Sequence, residues 1–236
     1  MQEEYTTQSE HWERHAESWV RWARKPGHDT YWRFHRDRFL ELVPPPGRLT
    51  VDVGCGEGRL ARHLKALGHR VVAVDSSPTM VRHAREADSE LEVHAAEMTA
   101  LPFEDGAADV AIAFMSLMNV DRLADAVREV GRVVAPGGRF CLAITHTINT
   151  AGDFESLAPD ARFVIERSYF EHAAVETAAE RDGLTMTFLD NHRPLEKYVD
   201  ALADGGFLIE RLREVTDTEG RWRRVPLFLD LRAVRS

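Results

Sequence analysis

The sequence predicts an α/β protein built on a doubly wound, seven-stranded, mostly parallel sheet whose last strand is antiparallel. After Pro44-Pro45-Pro46-Gly47, short apolar runs alternate with segments of helical periodicity, which is typical of strand–helix–strand units. The final two strand-like runs are joined by only a short link. Because a parallel crossover needs about a dozen residues or more, these two strands are expected to pair in antiparallel orientation.

The first five strands and the helices between them follow from periodicity in chain order. Apolar runs predict strands at 49–53, 71–74, 91–94, 108–114 and 139–145. Apolar residues at helical spacing predict helices at 60–67, 78–87 and 123–134. Gly68 ends the first of these helices and Pro136-Gly137-Gly138 ends the third, as glycine and proline commonly do.

One domain is predicted for residues 1–236, with three segments added to a core at 47–145. Tryptophan and alanine recur at helical spacing in residues 1–46, which are expected to form a helical lid. Residues 146–193 lose the strand–helix rhythm, and Asp182-Gly183 between two strand-like runs favours a hairpin within an inserted cap. Residues 194–236 are expected to add a helix and the final pair of strands. These strands are predicted at 207–215 and 225–234.

Composition excludes several classes of protein and site. The 236 residues carry 39 acidic against 30 basic side chains, and the net charge of −9 disfavours binding to nucleic acid. No apolar run approaches the roughly 20 residues of a membrane helix, and the N-terminus is too polar and acidic for a secretory signal. Two cysteines support neither a disulfide framework nor a structural zinc site. We therefore expect a cytoplasmic protein without a metal, nucleic-acid or membrane partner.

A glycine-rich turn after the first strand is the most informative feature. Residues 51–58 read VDVGCGEG, in which Gly54 and Gly56 let the backbone turn tightly and approach a ligand. Asp75 ends the second strand, 21 residues after Gly54, where a carboxylate can bind ribose hydroxyls. Position 59 is arginine, whereas the dinucleotide fingerprint has glycine there. The pattern indicates a nucleoside site and weakens the dinucleotide interpretation.

Four segments in register resemble motifs of the class I S-adenosylmethionine-dependent methyltransferases, and the similarity covers about residues 49–140. The segments are VDVGCGEG, VVAVDSSPTM, AEMTALPFEDGAADVAIA and LREVGRVVAPGGRF. The resemblance implies a Rossmann-like fold and S-adenosyl-L-methionine as the cofactor. It also implies that residues 47–145 form the cofactor-binding core and that the chain is a methyltransferase.

The resemblance also implies a set of cofactor contacts. Gly54 and Gly56 would pass close to the methionine part of the cofactor, and Asp52 would help to hold its ammonium group through the turn. Asp75 would take both ribose hydroxyls. Glu97 stands where the family usually has aspartate facing the adenine. The remaining cofactor contacts implied are Ser76, Met80, Met98 and Met115.

The methyl acceptor is expected to be a small molecule of the aromatic or secondary-metabolite kind. Neither a nucleic-acid module nor the Asn-Pro-Pro-Tyr-like tetrad of base methyltransferases follows the fourth strand. Tryptophan and methionine side chains suit an apolar or aromatic ring. The candidate substrate contacts are Trp19, Trp22, Met118 and Tyr169.

His192 and His146 are the candidate general bases. An acceptor hydroxyl or activated carbon must lose a proton, and histidine titrates in the range that suits this role. His146 follows the fifth strand, at the edge of the sheet where the ligand crevice lies, and His192 ends the predicted hairpin. Two alternatives stay open at this point: a nicotinamide-dependent oxidoreductase and a non-enzymatic S-adenosylmethionine-binding regulator. A monomer and a homodimer are both compatible with the sequence.

Overall fold

The computed structural model describes residues 7–236 and centres them on a seven-stranded sheet. The first six residues, which belong to the predicted lid at 1–46, lie outside the described part. The strands are β1 (Thr50–Val53), β2 (Val71–Asp75), β3 (Glu92–Ala95), β4 (Ala108–Phe114), β5 (Val134–Thr145), β6 (Gly152–Phe154), β7 (Phe163–Ile165), β8 (Ala173–Arg181), β9 (Leu184–His192), β10 (Phe207–Val215) and β11 (Phe228–Arg235).

The large sheet has the strand order β10-β11-β5-β4-β1-β2-β3. The five strands from β1 to β5 pair in parallel, whereas β11 is antiparallel to both β5 and β10. This topology confirms the predicted fold class, including the antiparallel last strand. The chain builds the sheet outward from β1 in both directions, first through β2 and β3 on one side and then through β4 and β5 on the other. Ligands bind beside such a switch point in open α/β sheets.

Helices cover both faces of this sheet. They are α1 (Gln8–Arg24), α2 (Arg36–Leu40), α3 (Arg59–Ala66), α4 (Pro78–Ala87), α5 (Leu123–Val133) and α6 (Leu195–Asp204). Helices α5 and α6 bury their apolar residues against one face, and α3 and α4 against the other. The central strands are therefore buried on both sides, which explains their continuous apolar runs. Within residues 7–236, none of the helices combines the length and hydropathy of a membrane span.

Two local predictions differ from the structure. Residues Tyr31–His35 form one turn of π-helix before α2, which interrupts the α-helical structure expected in the lid at 1–46. Strand β5 begins at Val134 and not at residue 139, because Val134 already pairs with Ala108 before the register shifts. Gly137, with φ of 77°, turns the chain inside this irregular start of the strand.

Residues 146–193 contain two small antiparallel sheets, β6–β7 and β8–β9. Asp182 and Gly183 connect β8 to β9, and both have positive φ, as a two-residue hairpin turn requires. The hairpin packs on α1, where a ring nitrogen of His11 lies 3.1 Å from the carbonyl oxygen of Thr187. At its tip, the Lys25 ammonium group donates to the carbonyl of Asp182 (3.2 Å). Helix α1 and the hairpin thus form one continuous wall.

Candidate functional site

A cavity of about 1090 Å³ lies at the carboxyl ends of β1, β2 and β4. The loops that follow these strands line one part of it, whereas α1 and the hairpin β8–β9 line the facing part. This is the edge of an open parallel sheet at which ligands bind. All nine predicted cofactor residues line this cavity: Asp52, Gly54, Gly56, Asp75, Ser76, Met80, Glu97, Met98 and Met115.

The glycine-rich turn is pressed against the end of β4. Gly54 has a φ of 73°, and a Cβ placed on it would lie 2.4 Å from the Cβ of Ser116. The Ser116 hydroxyl donates to the carbonyl of Val53 (2.7 Å), which holds the two strand ends together. A Cβ on Gly56 would have as its nearest neighbour Trp19 Nε1, at 3.5 Å. The turn therefore presents bare backbone to the cavity, as close approach of a ligand requires.

Asp75 is held by two backbone amides of the site. The N–H of Gly56 donates to Asp75 Oδ2 (2.7 Å) and the N–H of Ser77 donates to Oδ1 (2.9 Å). Burial raises the pKa of Asp75 to about 6, the two amides oppose this rise, and the charges of Glu97 and Glu13 add to it. Each carboxylate oxygen keeps a further lone pair, so the oriented group can still accept from a pair of ligand hydroxyls.

Asp52 is a buried carboxylate without a counter-charge. It is 1% exposed, and neither oxygen has a hydrogen-bond partner within residues 7–236. Burial raises the pKa of Asp52 to about 7, and the nearby charge of Asp75 adds to the rise. The backbone amide of Ala61 opposes the rise without reaching hydrogen-bond geometry. Because an unpaired buried charge is costly, this site favours a cationic group such as the cofactor's ammonium.

Asp52→Asn is expected to make folding less sensitive to pH. The folded protein keeps a proton on Asp52 that the unfolded chain loses near its usual pKa of 3.8. The cost of ionising Asp52 therefore grows as pH rises from about 4 to about 7. Urea unfolding measures the difference in unfolding free energy between Asp52→Asn and the wild type. This difference should rise by roughly 1–4 kcal/mol in favour of Asp52→Asn between pH 5 and pH 8. The same substitution should weaken cofactor binding.

Asp88→Asn provides the control for this prediction. The pKa of half-buried Asp88 is lowered, chiefly by its bond with Lys65, so loss of its carboxylate should shift the pH dependence in the opposite direction. An equal difference in unfolding free energy between Asp52→Asn and wild type at both pH values would contradict the assigned environment of Asp52.

The third part of the cofactor site follows β3. Glu97 lies in the loop after this strand, and its Oε1 accepts a hydrogen bond from the Ser9 hydroxyl of α1 (2.8 Å). Met98 and Met80 are buried, and both line the cavity, as does Ser76. Met115, at the end of β4, has a φ of 53°, which is unusual for a non-glycine residue and typical of functional sites.

Three of the four predicted substrate residues also line the cavity. These are Trp19 and Trp22 of α1 and Met118 after β4. Both tryptophan rings pack edge-on against Phe188 of β9, with ring centres 6.0 Å and 6.3 Å away. Tyr169 does not line the cavity. Its hydroxyl lies 2.9 Å from Thr147 Oγ1 and accepts from the N–H of Leu195 (3.1 Å), so it connects the cap to α6.

The two candidate bases lie outside the cavity lining. His192 is fully buried, with Nδ1 2.7 Å from Thr150 Oγ1 and Nε2 3.0 Å from the carbonyl oxygen of Tyr169. His146 Nε2 lies 3.1 Å from Glu214 Oε1, and His146 is not among the residues that line the cavity. Burial lowers the pKa of both imidazoles. The expectation that either histidine faces the acceptor is therefore corrected, because hydrogen bonds within and beside the cap hold both rings elsewhere.

Asp190 is the cavity residue that sequence reasoning missed. It lines the cavity from β9, and its Oδ2 accepts from the Thr145 hydroxyl (3.2 Å). Asp190 lies within the hairpin that is predicted to end at His192, but the sequence pattern assigns no role to it. The alternation of Met186, Phe188 and Asp190 could have revealed it, since these residues share one face of a strand.

The comparisons with known proteins agree with this geometry. A family model described as a methyltransferase domain matches residues 51–142, from β1 into β5. The crystal structure of an S-adenosylmethionine-dependent methyltransferase from Mesorhizobium loti aligns with 88% of this chain and 98% of that one, at 25% identity and a TM-score of 0.69. These comparisons support a class I S-adenosylmethionine-dependent methyltransferase. The cofactor of this family is S-adenosylmethionine, and Asp52, Gly56 and Asp75 fit it as described above.

Two curated relatives each match about half of this chain. A malonyl-[acyl-carrier protein] O-methyltransferase of Pseudescherichia vulneris is 31% identical over 134 residues, which are 55% of this chain and 52% of the relative. A ubiquinone biosynthesis O-methyltransferase of Methylocella silvestris is 33% identical over 120 residues, which are 49% and 46% of the two chains. The chain therefore spans about half the length of these curated relatives.

The similarity to methyltransferases does not favour the nicotinamide alternative. Arg59, which replaces the third glycine of the dinucleotide fingerprint, forms an ion pair with Asp29 and donates to the carbonyl of Ala23. It thereby anchors the segment after α1 to the start of α3. Arg59 therefore attaches the N-terminal segment to the sheet domain. It does not serve the close approach of helix and strand for which the fingerprint has glycine.

Proposed function

We propose that this chain transfers the methyl group of S-adenosylmethionine to a small acceptor with an apolar or aromatic body. The size of the cavity is the observation that supports this proposal. At about 1090 Å³ it exceeds the roughly 300–1,000 Å³ typical of a site for one drug-sized ligand. The cofactor residues line only part of it, and Phe188, Phe228 and Trp222 are among the side chains that bound the remainder.

The residues of the chain would bind, orient and enclose the two reactants. Asp75 would hold the ribose, Asp52 the ammonium group, and the bare backbone at Gly54 and Gly56 the methionine part. When bound, the cofactor supplies a methyl group already activated on its sulfonium. Trp19 and Phe188 would exclude water from the wall between α1 and β9. Alignment of two bound reactants can lower a barrier by about 7–11 kcal/mol in favourable cases, so no nucleophilic side chain is required.

The names of the relatives do not favour one acceptor. One is named for a malonyl group on a carrier protein and the other for ubiquinone biosynthesis. A secondary-metabolite acceptor therefore stays a prediction from the sequence. We further propose a cytoplasmic enzyme, monomeric or homodimeric, that does not act on nucleic acid. The net charge of −9 and the two free cysteines support these assignments.

Calorimetry with S-adenosylhomocysteine and NAD tests the cofactor, and transfer of a labelled methyl group to a panel of small acceptors tests the activity. We expect S-adenosylhomocysteine to bind and NAD to leave the protein unprotected against thermal unfolding. The opposite pattern would contradict the proposal. Cofactor binding without transfer to any phenol, carboxylate, thiol or amine of the panel would favour the regulatory alternative.

A further inference from the structure

Asp190 places a carboxylate on the wall of the cavity that the hairpin β8–β9 supplies. It follows Phe188 by two residues on β9, so both side chains project from the same face of the strand toward the cavity. Thr145, the last residue of β5, lines the cavity beside it and donates to Oδ2. Within residues 7–236, Thr145 is the only hydrogen-bond partner of this carboxylate.

Within residues 7–236, no cationic side chain forms an ion pair with Asp190. Burial raises its pKa to about 6, and the single opposing influence is the hydroxyl of Thr145. The half-buried carboxylate therefore lines the cavity without a counter-charge among the described residues. A charge in this situation is destabilising until an opposite charge reaches it. A ligand that carries a cation would supply that charge.

The walls around Asp190 also favour a cation. Phe188 and Phe228 both line the cavity, and Phe228 is paired with Thr145 in the sheet register. The faces of aromatic rings attract cations electrostatically. Ten acidic side chains but only three arginines, and no lysine, line the whole cavity. Its potential is accordingly negative, which concentrates cationic ligands.

From this arrangement we infer that Asp190 binds a positively charged nitrogen of the methyl acceptor, which makes the acceptor an amine with an apolar or aromatic body. The inference rests on the proposed function and names the acceptor class that the function leaves open. Thr145 is a positioning residue that fixes one oxygen of the carboxylate. Phe188 and Phe228 contact the body of the acceptor.

Binding of simple amines tests the inference without knowledge of the natural acceptor. The probes are 2-phenylethylamine and tryptamine. Their neutral counterparts are 2-phenylethanol and tryptophol, and their anionic counterparts are 3-phenylpropanoate and indole-3-propanoate. Saturation-transfer NMR gives each Kd, with and without S-adenosylhomocysteine. We expect each amine to bind at least about tenfold more tightly than its counterparts.

Asp190→Asn is expected to weaken amine binding by about tenfold or more. The amide oxygen can still accept from Thr145, and the destabilising charge is lost, so the thermal unfolding temperature should be at or above the wild-type value. The Kd of S-adenosylhomocysteine should stay at the wild-type value. Glu176→Gln is the matched control. It removes the same charge from an exposed position on β8 that lines the rim of the same cavity, and amine binding should change by no more than about twofold.

Three results would overturn the inference. The first is an amine that binds no more tightly than its alcohol or carboxylate, or not at all at about 10 mM. The second is amine binding that Asp190→Asn leaves unchanged. The third is a loss of S-adenosylmethionine affinity in Asp190→Asn, which would assign the carboxylate to the cofactor. Failure of wild-type protein to bind S-adenosylhomocysteine would contradict the proposed function separately, because the amine titrations are also performed without it.

Discussion

Asp75→Ala is expected to weaken binding of S-adenosylhomocysteine by about a hundredfold or more, measured by calorimetry. The carboxylate of Asp75 is oriented by the amides of Gly56 and Ser77 at the end of β2. Two charge-assisted hydrogen bonds from ribose hydroxyls would contribute about 1.5–3 kcal/mol each. Because about 1.4 kcal/mol corresponds to a tenfold change in Kd, loss of both gives the expected effect.

Glu13→Gln is the control for this substitution. Glu13 accepts hydrogen bonds from Ser77 and Thr79 at the start of α4, and its charge acts on Asp75, but it does not line the cavity. Its variant should bind S-adenosylhomocysteine within about threefold of wild type. Thermal unfolding of Asp75→Ala separates loss of ribose contacts from loss of the turn that Asp75 also supports. An unchanged Kd in a folded Asp75→Ala variant would mean that the cofactor site has been assigned to the wrong loop.

Gly54→Ala is expected to abolish cofactor binding and to destabilise the fold. The new Cβ would lie 2.4 Å from the Cβ of Ser116, so β1 and β4 would have to separate at the cavity edge. A left-handed backbone costs a residue with a Cβ about 1–2 kcal/mol, and overpacking typically adds about 1–3 kcal/mol. Urea unfolding measures the free-energy loss, and calorimetry measures the loss of S-adenosylhomocysteine binding.

Gly137→Ala isolates the backbone contribution. Gly137 has a φ of 77°, close to that of Gly54, but a Cβ on it would meet no atom within 4 Å. Gly137→Ala should therefore lose only the unfolding free energy that comes from the left-handed backbone, and it should bind S-adenosylhomocysteine normally. Adding Ser116→Gly to Gly54→Ala should recover part of the lost free energy. Equal losses in Gly54→Ala and Gly137→Ala would show that Ser116 does not crowd the turn.

Local chemistry explains which elements could be predicted from the sequence. Helix α4 begins and ends where expected, because Ser77 accepts a hydrogen bond from the N–H of Met80 and Pro78 occupies the first turn. Strand β4 has its predicted bounds because both of its faces are buried, so its apolar run stops where burial stops. The cofactor residues come together for the same reason. Each lies within a few residues of a strand end, and parallel strand ends meet at one edge.

The acceptor half of the site depends on contacts that a local pattern does not encode. His192 and Tyr169 are neighbours only because the hairpin folds against the loop after β5, where Thr150 meets the imidazole. Asp190 reaches the cavity because β9 continues beyond its apolar run. The π-helical turn before α2 likewise follows from packing, since His35 is buried between the rings of Phe114 and Phe228. These features depend on how the cap and the N-terminal segment pack on the sheet.

Helix α1 contacts both halves of the cavity at once. Ser9 is hydrogen-bonded to Glu97 on one side, and Trp19 and Trp22 are packed against Phe188 on the other. A substitution that displaces α1 would therefore disturb the surroundings of Glu97 and of Phe188 together.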